Sequence, residues 1–110
     1  IEIWGNGKSK KDYLFLDDFI LAINKILFSK THTNDAIFNI ASGKTHSINE
    51  IIRLIETTTK KKINIVYGKR KKFDVDNISI NNALFSKTYN WHPKTDIGNG
   101  IKQIYNLMKK

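Results

Sequence analysis

A mixed α/β fold of short strands and longer helices is predicted by three observations. The runs IEIWG, AIFNI and INIVYG are apolar, strand-length and bounded by Gly, Asn and Asp turns. Longer segments carry apolar residues at helical spacing, as in Ile48, Ile51, Ile52 and Ile55. Helix-start chemistry stands where such segments begin, most fully in Ser47-Ile48-Asn49-Glu50, a capping box in which serine and glutamate each take an orphan N–H. The predicted order is β, β, α, β, α, β, α, α.

Ile1 to Gly5 alternates, with Ile1 and Ile3 on one side, and ends in the turn Gly5-Asn6-Gly7. DYLFLDD, Asp12 to Asp18, gives another brief extended piece. Asp17 or Asp18 then caps a helix over 18–28, where Ile20, Ile23, Ile26 and Leu27 recur at helical spacing. Thr31 to Asp35 is polar loop, and Ala36 to Ile40 is a compact run of buried-strand length. The turn Ala41-Ser42-Gly43-Lys44 leads to the capping box and a helix over 47–58. Ile63 to Gly68 reads as a third apolar strand, followed by the basic loop KRKKFDVD. Asn81 or Asn82 caps a short helix ending near Tyr89-Asn90, and Pro93 blocks its continuation. Beyond Asp96, the positions Ile97, Ile101, Ile104, Tyr105 and Met108 mark a terminal helix whose basic end suits the helix dipole.

Composition narrows the class. A chain of 110 residues, 40% hydrophobic and 26% charged, is one folded unit or a piece of one, and is not disordered. Without cysteine there is no disulfide framework and no thiolate metal site, and His32, His46 and His92 show no metal-ligand spacing, so no metal is expected. No signal-peptide pattern opens the chain, and the longest apolar stretch, Phe19 to Ile23, is far short of the roughly 20 residues that span a bilayer. A cytoplasmic location without membrane association is the expectation. The net charge of +9, with lysine supplying 17 of 19 basic residues, suits a polyanionic partner, although the abundance of lysine, isoleucine and asparagine also fits a proteome-wide bias.

Several motifs follow one another in order: IEIWGNG, KDYLFL and DDFILAI, then FNIASG, then SINEII, then FDVDNI, and finally NWHPKT with GNGI. Together they resemble the C-terminal part of the extended short-chain dehydrogenase/reductase family, the NAD-dependent nucleotide-sugar epimerases and dehydratases of UDP-glucose 4-epimerase type. The resemblance implies that residues 1–110 are the C-terminal substrate-binding portion of a longer Rossmann-like enzyme whose N-terminal dinucleotide-binding domain is absent. The helix from Asp18 and the strand AIFNI would complete the sheet of that cofactor domain, and the remainder would form a small substrate-binding α/β domain. The family's Gly-rich cofactor motif and Tyr-x-x-x-Lys pair lie upstream of this region. NAD is accordingly expected on the absent part, and no catalytic residue is expected here. Tyr67 with Lys71 and Tyr105 with Lys109 match that spacing by the chance that frequent lysine allows.

The resemblance also assigns binding roles. Lys11 stands where relatives use an arginine on the substrate diphosphate, and it offers a point charge instead of a planar fork. Tyr13 matches an aromatic near the nucleotide and sugar, Ile3 and Trp4 the strand whose backbone meets the base, and Ile48 an apolar residue packed on the base. Arg70 or Lys71 matches a second phosphate-binding cation, and Asp74 the carboxylate that accepts ribose hydroxyls. Plainer readings stand beside these: solvated lysines, a core Trp4 and Ile48, strand packing for Tyr13, and an aspartate that relieves charge repulsion. The implied ligand is a UDP-, dTDP-, GDP- or CDP-sugar. The implied parent enzyme is a homodimer that oxidises the sugar C4 hydroxyl, and the chain alone is inactive with partly exposed apolar faces. Two rivals remain: a basic nucleic-acid-binding domain with Trp4, Tyr13 and Phe15 as stacking platform, and a non-catalytic interaction module descended from such an enzyme.

Overall fold

The computed structural model describes residues 1–31 and 36–109. His32 and all but the first residue of the expected Thr31–Asp35 loop lie outside the described residues. In chain order the elements are β1 (Glu2–Trp4), β2 (Lys10–Asp12), α1 (Leu16–Leu27), β3 (Thr45–Ser47), α2 (Ile48–Thr59), β4 (Val66–Gly68), α3 (Ala83–Tyr89) and α4 (Ile97–Met108).

The strands form two small ladders. β1 runs parallel to β4 with Ile3 opposite Tyr67, and β2 runs antiparallel to β3 with Lys11 opposite His46. The second ladder is joined to the segment after the basic loop by Lys10, whose N–H donates to the Asp76 carbonyl at 2.7 Å and whose carbonyl accepts from Ile78 at 2.8 Å. β3 was not anticipated, because Thr45 and His46 carry no apolar alternation and are drawn into a ladder by β2.

Two clusters hold the layers. Ala22 of α1 packs with Phe85, Tyr89 and Trp91, and Leu14, Phe38 and Ile40 close over them. The rings meet mostly edge to face, with Phe85 and Trp91 centroids 5.3 Å apart and Phe38 and Tyr89 5.4 Å apart, a geometry that adds about 0.5–1.5 kcal/mol per pair beyond area burial. The second cluster lies where α2 packs on α4, with Ile52 and Gly100 buried. Gly100 is required there, since a Cβ would stand 2.9 Å from the Phe15 ring.

The predicted capping box of α2 forms in both directions: Glu50 N–H donates to Ser47 Oγ at 3.2 Å and Ser47 N–H to Glu50 Oε2 at 2.8 Å. α1 differs from its expectation. Its N-cap is Phe15, without a side-chain bond, and Asp17 and Asp18 lie inside the first turn, where their charge favours the helix dipole. Asp18 has a larger task. It is 1% exposed, and its two carboxylate oxygens accept the N–H groups of Lys94 and Thr95 at 3.0 and 2.8 Å. Its carbonyl accepts Trp91 Nε1 at 3.1 Å, so one residue clamps the Trp-His-Pro-Lys-Thr segment onto α1. At α3, Asn82 holds the N-cap position yet donates its side-chain amide to the Ala41 carbonyl, while Asn81 Oδ1 accepts from Ala83 N–H. Asp96 caps α4 by accepting from Asn99 N–H at 2.9 Å.

Two strand expectations are corrected. Residues 36–40 form no strand: a strand needs a neighbour to take its backbone groups, and no described strand pairs with them. The segment instead lays Phe38 and Ile40 on the aromatic cluster. The run expected at Ile63–Gly68 narrows to Val66–Gly68, because the Glu56 carboxylate of α2 takes the Ile63 N–H at 2.9 Å. The extended piece expected from Asp12 begins two residues earlier, at Lys10, and ends there as a strand.

The molecule is a slab of 50 × 39 × 16 Å with a radius of gyration of 16.7 Å, against about 13 Å for a compact chain of this length. α1 accordingly exposes much of its apolar surface, with Leu16 65%, Leu27 69% and the following Phe28 83% exposed. A helix that is apolar around most of its circumference is one that larger assemblies bury.

Asp18→Ala is expected to lower stability by about 2 kcal/mol, because two partly buried N–H groups lose their acceptor. Asp17→Ala, on the exposed face, should change it by less than about 0.5 kcal/mol. Urea denaturation midpoints of the two variants test the contrast.

Candidate functional site

A cleft of about 560 Å³ opens beside β1, within the 300–1,000 Å³ range, roughly, of small-molecule sites. Its walls bring together Ile3 and Trp4 of β1, Gly7 of the glycine turn, Lys11 of β2, Ile48 at the start of α2, and Phe73 and Asp74 of the basic loop. Five of the eight residues singled out from the sequence thus converge: Ile3, Trp4, Lys11, Ile48 and Asp74.

The glycine turn is fixed by α2. Asn49 N–H donates to the Gly7 carbonyl at 3.1 Å, its side-chain amide donates to the Asn6 carbonyl at 2.9 Å, and its Oδ1 accepts the Tyr67 hydroxyl at 3.1 Å. Gly7 adopts φ +69°, and a Cβ there would collide with the Asn49 side-chain amide. Any other residue at position 7 is therefore excluded on two counts. Asn49 and Phe73 are site residues that sequence reasoning missed. Both lie inside motifs read from the sequence, SINEII and FDVDNI, but only the fold brings them beside β1.

Lys11 Nζ donates to Asp74 Oδ1 at 2.7 Å, a half-buried ion pair across 63 residues of sequence. The hydrogen bond from Lys11, reinforced by its charge and that of Arg70, holds the Asp74 carboxyl below its ordinary value of 3.8. Arg70 is committed elsewhere: its Nη2 donates to the Asp74 carbonyl at 2.8 Å and meets Asp76 Oδ1 at 2.9 Å, bracing the loop. Lys71 reaches the cleft indirectly, its ammonium 5.0 Å from the Trp4 ring centroid. Tyr13 faces away from the cleft. It lines the apolar groove between α2 and α4 and a polar recess with His46 and Lys94. Burial raises its phenol pKa, against the charge of Lys11 and with that of Asp74.

Neither Tyr-x-x-x-Lys match forms a tyrosine–lysine pair of the catalytic kind. Tyr67 bonds Asn49, and Lys109 sits over the Tyr105 ring face at 4.4 Å from its centroid. Trp4, Tyr13 and Phe15 make no common platform, since Trp4 is in the cleft and the other two line the α2–α4 groove. Among the described residues no group of three or more His, Asp or Glu side chains is placed to hold a metal, and no helix is long and apolar enough to cross a membrane.

The same fold recurs in known nucleotide-sugar epimerases. In fold, the chain matches UDP-glucuronic acid 4-epimerase from Bacillus cereus, a complex with UDP-glucuronic acid and NAD, at a TM-score of 0.91 with 21% identity, covering 98% of this chain and 34% of that one. It matches UDP-glucose 4-epimerase from Thermotoga maritima at 0.86 with 22% identity, covering all of this chain and 36% of that one. The family model described as GDP-mannose 4,6 dehydratase matches residues 1–104, and the chain belongs to that family of NAD-dependent nucleotide-sugar epimerases and dehydratases. In sequence it is 31% identical to GDP-L-colitose synthase of Yersinia pseudotuberculosis over 94% of this chain and 30% identical to UDP-glucuronate 4-epimerase of Thermodesulfobacterium geofontis over 100% of it. It spans 33% of the length of each.

The family's NAD finds no cradle among the described residues. The Gly5–Gly7 turn leads into β2, not into a helix N-terminus that would receive a pyrophosphate, and Gly100 is filled by the Phe15 ring. No step is therefore derived through NAD on this chain.

A carboxylate whose pKa is lower folded than unfolded adds stability that is complete above the unfolded value and disappears as pH falls through the folded one. The stability difference between wild type and Asp74→Asn should thus be constant above about pH 5 and shrink as pH drops below the ordinary 3.8. Denaturation midpoints measured from neutral pH into the acid range check it.

Proposed function

We propose that the cleft binds the nucleoside diphosphate of a nucleotide sugar and that this chain is the substrate-binding portion of a longer epimerase or dehydratase. The observation that carries this reading is the meeting of Lys11 and Asp74 on the wall of a cleft beside an open strand edge. Lys11 supplies a positive point charge to the diphosphate. Asp74, kept ionised by its surroundings, accepts from the ribose hydroxyls. β1 pairs only with β4 among the described strands, so its other edge offers main-chain groups to a base, with Ile48 as an apolar wall. Lys71, at the Trp4 ring, is the second cation available to phosphate, with Arg70 holding the loop that carries it. Tyr13, which lines the groove between α2 and α4, makes no part of the proposed contact.

In the longer protein, the remaining part holds NAD, oxidises the sugar at C4 and supplies the catalytic tyrosine and lysine, so that this chain alone binds without turnover. The exposed apolar face of α1 supports this division, because it is the surface such a part would cover. We assign the whole enzyme to the cytoplasm as a homodimer. Neither the nucleic-acid reading nor that of a non-catalytic module has a specific observation in its favour, since the aromatic residues it would stack on are dispersed.

Calorimetry with UDP-, dTDP-, GDP- and CDP-sugars should find one preferred nucleotide, weakened by about tenfold or more in both Lys11→Ala and Asp74→Ala. Binding of random single-stranded DNA that falls steeply with salt and ignores Asp74→Ala, in place of nucleotide binding, would overturn the proposal.

A further inference from the structure

Phe73 is the least explained side chain of the cleft. It is 75% exposed, it follows four consecutive basic residues, and no helical or strand periodicity gives it a core to enter. A single exposed ring needs no explanation, but two exposed rings in contact on the wall of one cleft form an apolar patch of the kind that marks a binding site. Its loop nevertheless holds it in place. Asp74 N–H donates to the Lys71 carbonyl at 3.1 Å, Arg70 braces the Asp74 carbonyl, and Asp74 is tied to Lys11. The ring therefore stands at the cleft mouth, edge to face with Trp4 at 6.1 Å between centroids and 85° between planes.

Trp4 is itself 48% exposed and projects from β1 opposite Gly68, so no neighbouring side chain on β4 covers it. Two large rings, both open to solvent and both on the wall of one cleft, meet edge to face, and Phe73 directly precedes Asp74 of the ion pair.

We propose that Trp4 and Phe73 form an aromatic clip that takes the base of the nucleotide by stacking, and that Phe73 is a determinant of affinity at this site. The proposal rests on the nucleotide-binding reading of the cleft and adds to it the part of the ligand that the clip recognises. A planar ring held between two others needs their centroids about 7 Å apart, twice the carbon–carbon contact distance. The observed 6.1 Å requires an opening of about 1 Å and rotation of the exposed Phe73 ring toward parallel. Lys71, already over Trp4, stays on the cationic side of the clip. Because every base has a π-face, the clip gives affinity without reading hydrogen-bond patterns, and any choice among bases falls to the β1 edge.

The test is calorimetry with UDP on wild type, Phe73→Ala, Phe73→Leu and Phe73→Tyr, substitutions at a position too exposed to endanger folding. The clip predicts affinity lower by about tenfold or more in Phe73→Ala and Phe73→Leu, with Phe73→Tyr restoring it. Equal affinity in wild type and Phe73→Ala, or retention in Phe73→Leu, would overturn the clip while leaving nucleotide binding intact. Failure of the wild type to bind UDP or any other nucleoside diphosphate would overturn the binding reading and the clip together.

Discussion

The cleft depends on how the three residues of β2 are held. Lys10 gives its N–H and carbonyl to the 76–78 segment, Lys11 pairs with Asp74, and the Asp12 carboxylate accepts the N–H groups of Ser42 and Gly43 at 2.8 Å each. On its other side the strand is laddered to β3, which runs directly into α2. One short strand therefore joins the basic loop, the Ser-Gly turn and the helix carrying Ile48 and Asn49. The Lys11–Asp74 pair is also the part of this junction that faces the cleft. On the proposed reading, a ligand anion that engages Lys11 competes with Asp74, and the released carboxylate becomes free for hydroxyl groups.

The second constraint is thickness. A slab 16 Å deep has room for one layer of helices over small ladders, and it cannot enclose every apolar face. What the chain buries, it buries densely: four aromatic rings around Ala22, and a carboxylate, Asp18, whose two oxygens each have a backbone N–H partner. What it leaves open is concentrated on α1. This asymmetry explains why Asp18 at its start serves tertiary contacts in place of capping, since a helix whose outer face awaits another surface needs its inner face anchored firmly.

Local chemistry was legible in the sequence where it is self-contained. The capping box at Ser47–Glu50 and the helical periodicity of α2 and α4 involve residues within a few positions of one another, and they form as expected. Strands were read less well. A strand exists only with a partner, so Ala36–Ile40 looks like one and is not, while Thr45–Ser47 does not look like one and is. Of the site, Lys11 and Asp74 were reached through ordered motifs. That they touch each other, that Arg70 is turned into a brace, and that Tyr13 lies behind the wall are consequences of long-range packing. Phe73 and Asn49 fall inside ordered motifs but were assigned no role, because an exposed aromatic in a basic loop and an asparagine inside a helix turn acquire meaning only when β1 comes alongside.

The most direct test of the central claim is a two-dimensional amide NMR titration of the chain with UDP-glucuronic acid. The account predicts that shifts concentrate at residues 3–11, 48–49 and 71–78, with the Lys11 and Asp74 signals among the largest and α1 undisturbed. Shifts that trace α1 or the Lys60–Lys62 run, with the β1 cleft silent, would contradict it.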